Sequence, residues 1–261
     1  MTTQIRSLYG ILKHFSTATH QSICGDFLRC TTLIGTKPTI AEWFAEAVAS
    51  NNSFCNVDQP FIGVQSLSGR TPTAPDSKRT RIIHLLASKA EIEIGDGSQD
   101  YRFTYMNREL SPLRIEKANQ PSSGAGGIDY IGRTKGRPIL GEIKVDNDAN
   151  PFYAFVQLLT YLSELATPHQ IQRANRHKEF GLELGVPQAF DLHILLADFN
   201  DRGEKGELIE PTKRLAEQFK ERLHARHPEA AAYVGNILCI GMNSHAFAES
   251  NTANLKCIWA A

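Results

Sequence analysis

Two short apolar stretches, Ile128 to Gly132 and Ile139 to Val145, flank the polar segment Arg133 to Pro138, and this pair constrains the fold more than any other feature of the chain. Each has the length and β-branched content of a strand. Gly136, in the connection, has the conformational freedom that a tight reversal needs, so the spacing predicts a hairpin. Asn150 and Pro151 then give a helix-start signal, and Phe152, Phe155, Val156, Leu159, Leu162 and Leu165 recur at helical spacing. A hairpin feeding directly into such a helix predicts a sheet covered by helices.

The rest of the chain extends this pattern. Thr39 and Glu42 form a capping box for a helix over residues 39 to 50, with Ile40, Trp43, Phe44, Ala47 and Val48 on one face. Residues 65 to 80, rich in Ser, Thr, Pro and Gly and ending near Lys78, Arg79 and Arg81, read as a surface loop or linker. The expected organisation is an N-terminal extension, residues 1 to 78, followed by a main domain, residues 79 to 261. Within that domain a helix is expected from Arg81 to Ala90, then strands near Ile92 to Ile94 and Tyr101 to Tyr105, with a weaker strand from Leu110 to Ala118. Thr167, Pro168 and Gln170 open a further helix, and so does Pro211; Asp191 to Phe199, Gly235 to Met242 and Leu255 to Trp259 read as strands. The fold class expected is α/β: a mixed central sheet flanked by helices, with an N-terminal extension. No internal repeat, Walker loop, GxGxxG, GxSxG or HExxH motif occurs.

Composition removes several classes of function. At 41% hydrophobic and 21% charged residues, the 261-residue chain suits a packed fold and not a disordered one. A formal net charge of zero means that any nucleic-acid contact must use local patches, for which Arg133, Lys135 and Arg137, or Arg173, Arg176, His177 and Lys178, are candidates; solvated turns are the alternative. The five cysteines, at 24, 30, 55, 239 and 257, are odd in number and lack a CxxC pair, so reduced thiols are expected. A mixed site of His14, His20, Cys24 and Cys30 is the alternative, without the spacing of a common zinc module. No secretory or 18-residue apolar segment is present, which predicts a cytoplasmic protein without a membrane partner.

The hairpin also carries the chemistry. Side chains alternate along a strand, so Glu142 and Lys144 share one face while Ile143 and Val145 take the other. If Gly132 pairs with Ile139, Asp129 falls opposite Glu142, with Cβ atoms about 4.5 to 5.5 Å apart. Two carboxylates on an apolar hairpin repel one another unless a cation lies between them, and hard oxygen ligands favour Mg2+ or Mn2+. Lys144 adds a positive charge suited to a phosphate or to an attacking water. Gln157 and Tyr161, four apart on the next helix, can face the same cleft; a polar strip on a surface helix is their alternative. An ExK pair alone is common on solvated strands, and it gains meaning from Asp129 in register and the QxxxY helix next in order. His193 reads as a packed or edge histidine.

The string Gly-Ile-Asp129-Tyr, a hairpin, Gly-Glu142-Ile-Lys144 and then Gln157-Leu-Leu-Thr-Tyr161 resembles the PD-(D/E)XK nuclease superfamily, particularly its branches with a QxxxY helix. The resemblance covers about residues 110 to 200 and implies a restriction-endonuclease-like core and hydrolysis of DNA, more in the manner of an endonuclease, in restriction or phage defence. It implies that Asp129, Glu142 and the Ile143 carbonyl hold the metal, that Lys144 serves the attacking water, and that Gln157 and Tyr161 support the site or the DNA. Ile128 stands where the family has proline. The family's upstream acidic residue has three candidates, Glu91, Glu109 and Glu116, with Glu91 preferred for its place after the Arg81 to Ala90 helix. The extension then serves oligomerisation, substrate choice or a partner protein. The competing expectation is a nuclease-like module that binds nucleic acid or protein without cutting, against which the complete Asp, Glu, Lys set argues.

Overall fold

A computed structural model describes residues 40–55, 77–95, 101–110, 128–146, 150–177, 181, 183–200, 206–250 and 254–261. The elements run α1 (Ile40–Cys55), α2 (Lys78–Ala87), β1 (Ile92–Gly95), β2 (Tyr101–Leu110), β3 (Ile128–Thr134), β4 (Arg137–Val145), α3 (Pro151–Leu165), α4 (Pro168–His177), β5 (Phe190–Ala197), α5 (Ile209–Arg226), α6 (Pro228–Ala231), β6 (Val234–Met242), α7 (Ser244–Glu249) and β7 (Asn254–Ala260). The Leu110 to Ala118 strand lies, apart from Leu110, outside the described residues, as do Thr39 and the group His14, His20, Cys24 and Cys30.

The sheet overturns the expected fold class. The seven strands form one closed barrel in the order β1 to β7, and not an open mixed sheet of the restriction-endonuclease-like kind. Closure is made by β1 and β7, which run parallel with Glu93 beside Asn254, Ile94 beside Leu255 and Gly95 beside Lys256. β4, β5 and β6 are mutually parallel, while β1 to β4 form an antiparallel meander and β6 pairs antiparallel with β7.

Two cores follow from closure. The inner face draws Ile92, Phe103, Tyr130, Ile139, Ile143, Leu195, Leu238, Ile240 and Leu255 into one cluster with Ile82, Ile83 and Leu86 of α2 and Phe247 of α7. Outside, Ile131, Leu140, Leu192, Ile194 and Cys239 pack against Phe44 and Val48 of α1, Phe152, Phe155, Leu159 and Leu162 of α3, and Phe219 of α5. Each such large apolar side chain contributes about 2 kcal/mol by leaving water. β5 is buried at all eight positions, which explains why Asp191 to Phe199 lacks the alternation of a one-sided strand.

Local signals set the elements that carry the site. Lys135 and Gly136, with φ of 37° and 83°, form a two-residue turn in which both central residues are left-handed, the twist that closes a hairpin without splaying it. Asn150 Oδ1 accepts from the Tyr153 N–H at 3.0 Å and Pro151 occupies the first helical position, so α3 starts where the hairpin ends. The expected boundary at residues 78 and 79 falls inside the first turn of α2, and α1 packs in the same outer core as α3 and α5. Among the described residues no helix is long and apolar enough to cross a membrane.

Candidate metal and phosphate site

The hairpin register is the one the sequence implies: Gly132 pairs with Ile139, Ile131 with Leu140 and Tyr130 with Gly141, so Asp129 and Glu142 are the next residues along. The Cβ-less Gly141 is required there, since a methyl group would come within 2.0 Å of the Tyr130 ring that crosses it. The paired ladder ends at Tyr130 and Gly141, one step short of Asp129 and Glu142. Asp129 Oδ2 accepts the main-chain N–H of Ile143 at 2.9 Å, tying the carboxylate to β4. The N–H and C=O of a strand residue point to the same side, so the Ile143 carbonyl also faces the β3 edge that bears Asp129.

Glu142 and Lys144 share the outer face with Leu140, under α3. The Lys144 ammonium donates to Glu142 Oε1 at 2.7 Å and to Gln157 Oε1 at 2.5 Å, and lies 4.6 Å from the centre of the Tyr153 ring. Gln157 Nε2 in turn donates to the Tyr161 hydroxyl at 3.4 Å. Asp129, Glu142, Lys144, Gln157 and Tyr161 thus come together. The QxxxY pair is not a solvated strip, because all of α3 except Tyr153 is buried. With Tyr161 wholly enclosed, the pair backs Lys144 and does not reach outward as a second rank of ligands.

The site sets two carboxylates, Asp129 and Glu142, against two bases, Arg79 and Lys144. Burial first, and the Asp129 carboxylate second, push the Glu142 carboxyl well above its ordinary range, with Lys144 opposing. Its Oε2 is buried and has no hydrogen-bond partner. An unpartnered carboxylate oxygen costs about 1 to 3 kcal/mol, more if ionised, and a cation beside Asp129 would relieve both terms. The donor set therefore fits a hard divalent ion, with Asp129, Glu142 and the Ile143 carbonyl as the protein's share. Among the described residues no group of three or more His, Cys, Asp or Glu side chains is arranged to hold a metal, so water and phosphate would complete the shell.

The preferred upstream acid is not at this site. Glu91 is exposed, forms a 3.6 Å ion pair with Arg102, and lines a groove with Thr134, Lys135 and Gly136 at the turn end of the hairpin. That is about 16 Å from Asp129 along β3. The Glu109 side chain and Glu116 lie outside the described residues. What does approach Asp129 is a base: Arg79, in the first turn of α2, with its guanidinium 3.5 Å from Oδ1. Sequence reasoning placed Arg79 in a linker; its only signal was the capping serine two residues earlier.

The basic sets are partly consumed by structure. Arg133 donates to the Gly181 carbonyl at 3.2 Å, Arg137 lies 3.4 Å from Asp191, and Arg173 donates to Gln170 at 2.6 Å; Lys135 and Arg176 are exposed, and the His177 side chain and Lys178 lie outside the described residues. His193 is fully buried on the inner face. The Tyr130 hydroxyl lies 3.1 Å from its Nδ1 and the Tyr101 hydroxyl 3.2 Å from its Nε2, while Tyr101 donates to Asp191 at 2.5 Å. Burial pushes the imidazole down to about 3. Cys239 is a buried free thiol.

No family model, curated protein or solved structure matches the chain.

Proposed function

We propose that the chain is a divalent-metal-dependent nuclease that hydrolyses DNA phosphodiester bonds, more in the manner of an endonuclease, with Mg2+ or Mn2+ as its cofactor. The supporting observation is the unpartnered, buried Glu142 Oε2 beside Asp129, with Lys144 held at the same point by Glu142 and Gln157. The likeness to PD-(D/E)XK nucleases rests on this site and on its order along the chain; the closed sheet contributes nothing to it.

In this reading Asp129, Glu142 and the Ile143 carbonyl hold the cation, which when bound supplies Lewis-acid polarisation of the phosphate. Lys144 lies buried beside Glu142 with its ammonium fixed in direction by Gln157, and either orients the attacking water or balances charge on the phosphate in the transition state. Tyr161 holds the Gln157 amide, and Tyr153 covers the ammonium from the other side. Restriction or defence against invading DNA is the context this reading suggests, with residues 1 to 78 acting on substrate choice, self-association or a partner protein.

The test is cleavage of plasmid DNA with Mg2+ by the full chain and by Glu142→Ala and Lys144→Ala. Loss of at least about a hundredfold in both variants is expected. Equal activity in all three sinks the assignment. A second reading, a binding module that does no chemistry, draws on the absence, among the described residues, of a third metal-ligating side chain. Salt-sensitive DNA binding without calorimetric uptake of Mg2+ or Mn2+ would favour it.

A further inference from the structure

The first turn of α2 is fastened to the carboxyl ends of two neighbouring parallel strands. Asp146 and Asp198 follow β4 and β5 directly, and both adopt the left-handed conformation, with φ of 48° and 51°. Lys78 bridges them, bonding Asp146 Oδ1 and lying 2.9 Å from Asp198 Oδ2. Asp198 is held in turn by the N–H and hydroxyl of Ser244 at 2.8 and 2.5 Å. Ser77 caps the same turn through the Thr80 N–H at 3.1 Å. This bracing delivers the next residue, Arg79, to Asp129.

The contact it makes there is loose. At 3.5 Å it is an ion pair and not a good hydrogen bond, and the Arg79 side chain is 52% exposed against 9% for Asp129. A pair with one partner half in water is worth at most about 1 kcal/mol, so it is given up easily. A divalent cation on Asp129 would oppose the guanidinium at close range, whereas the phosphate brought to that cation would attract it and offer two oxygens to its planar fork.

We propose that Arg79 is a phosphate-binding residue that exchanges Asp129 for the scissile phosphodiester when the cation site fills. The helix α2 then contributes a base where the resemblance implies an upstream acid, and charge on the phosphate is shared between one cation and one arginine. This inference rests on the nuclease reading above and deepens it.

The experiment compares the full chain with Arg79→Gln, Arg79→Lys and Glu142→Gln in two assays. The first is calorimetric titration with Mn2+ alone, and the second is single-turnover cleavage of duplex DNA. Removing the competing cation in Arg79→Gln should tighten Mn2+ binding up to about fivefold, the equivalent of a surface pair. The same substitution should slow cleavage at least about tenfold, with Arg79→Lys intermediate in rate. A merely structural role would move both quantities in the same direction. Unchanged or weaker Mn2+ binding in Arg79→Gln, or cleavage at the parent rate, overturns the inference. If that happens while Glu142→Gln still abolishes cleavage, the nuclease reading survives alone. A parent chain that neither takes up Mn2+ nor cuts removes both.

Discussion

Asp129 accepts the main-chain N–H of Ile143 through one carboxylate oxygen and meets Arg79 with the other, so a single side chain fastens β3 to β4 and presents a charge to α2. The two tasks separate chemically. Asn keeps an acceptor for the Ile143 N–H and loses the charge. Asp129→Asn should therefore melt within about 3 °C of the parent while losing cation uptake and at least about a hundredfold in cleavage. A variant that melts normally and still cuts would show that Asp129 is structural only.

Gln157 is the next residue to separate position from charge. It touches Lys144 and Tyr161 and, in the reading above, no cation. In Gln157→Leu the ammonium keeps Glu142 and the Tyr153 ring but loses its fixed direction, and cleavage should fall about ten- to a hundredfold with Mn2+ affinity unaltered. Calorimetry and cleavage on one preparation check this; a parallel loss of both would mean that Gln157 supports the carboxylates instead.

Gly141 offers a test of the hairpin alone. An added methyl group collides with the Tyr130 ring, whose hydroxyl is engaged with His193. Gly141→Ala should cost about 1 to 3 kcal/mol, as other over-packed core positions do, visible as a lower urea midpoint at unchanged slope. An unshifted midpoint would mean that the ring does not cross the strand there.

Two buried groups set the response to pH in opposite senses. Glu164 is wholly buried with Oε1 unpartnered, and burial pushes its carboxyl up to about 8. A folded pKa above the unfolded one gives stability that is complete below the unfolded carboxylate range, near 4.5, and is lost as pH rises through about 8. His193, pushed down to about 3 from an ordinary 6.5, does the reverse: its contribution is complete above 6.5 and is lost as pH falls through about 3. Glu142, raised chiefly by burial as well, adds a second slope of the Glu164 sign, so the two carboxyls outweigh the imidazole between about pH 4.5 and 6.5 and stability should be greatest near pH 4.5. Denaturation profiles from pH 4 to 9 should show the decline above pH 6.5 reduced in Glu164→Gln, Glu142 retaining a slope of the same sign. Superimposable alkaline limbs would remove Glu164 from the explanation.

The site was more legible in the sequence than the fold around it. The Asp129 and Glu142 alignment depends on a local register set by a two-residue turn at Lys135 and Gly136, and α3 on the cap at Asn150, both short-range events that leave marks in composition. Barrel closure depends on β1 finding β7, a pairing of a four-residue strand with one about 160 residues later, for which neither segment carries a signature. Arg79 was hidden differently. A Lys-Arg run after a Ser/Pro-rich stretch resembles a solvated linker, and its meaning comes from Asp146 and Asp198, which only the parallel β4 and β5 bring side by side. Likewise Asp191, Tyr101 and His193 lie on different strands, and nothing local announces their network.

Closure of the sheet also decides how this chain can meet another. Because β1 is taken up by β7, neither end strand of the described sheet is left as a fully open edge. Strand addition, the usual route by which an open sheet recruits a peptide, swaps a segment or seeds an aggregate, meets no wholly unpaired end strand among the seven described.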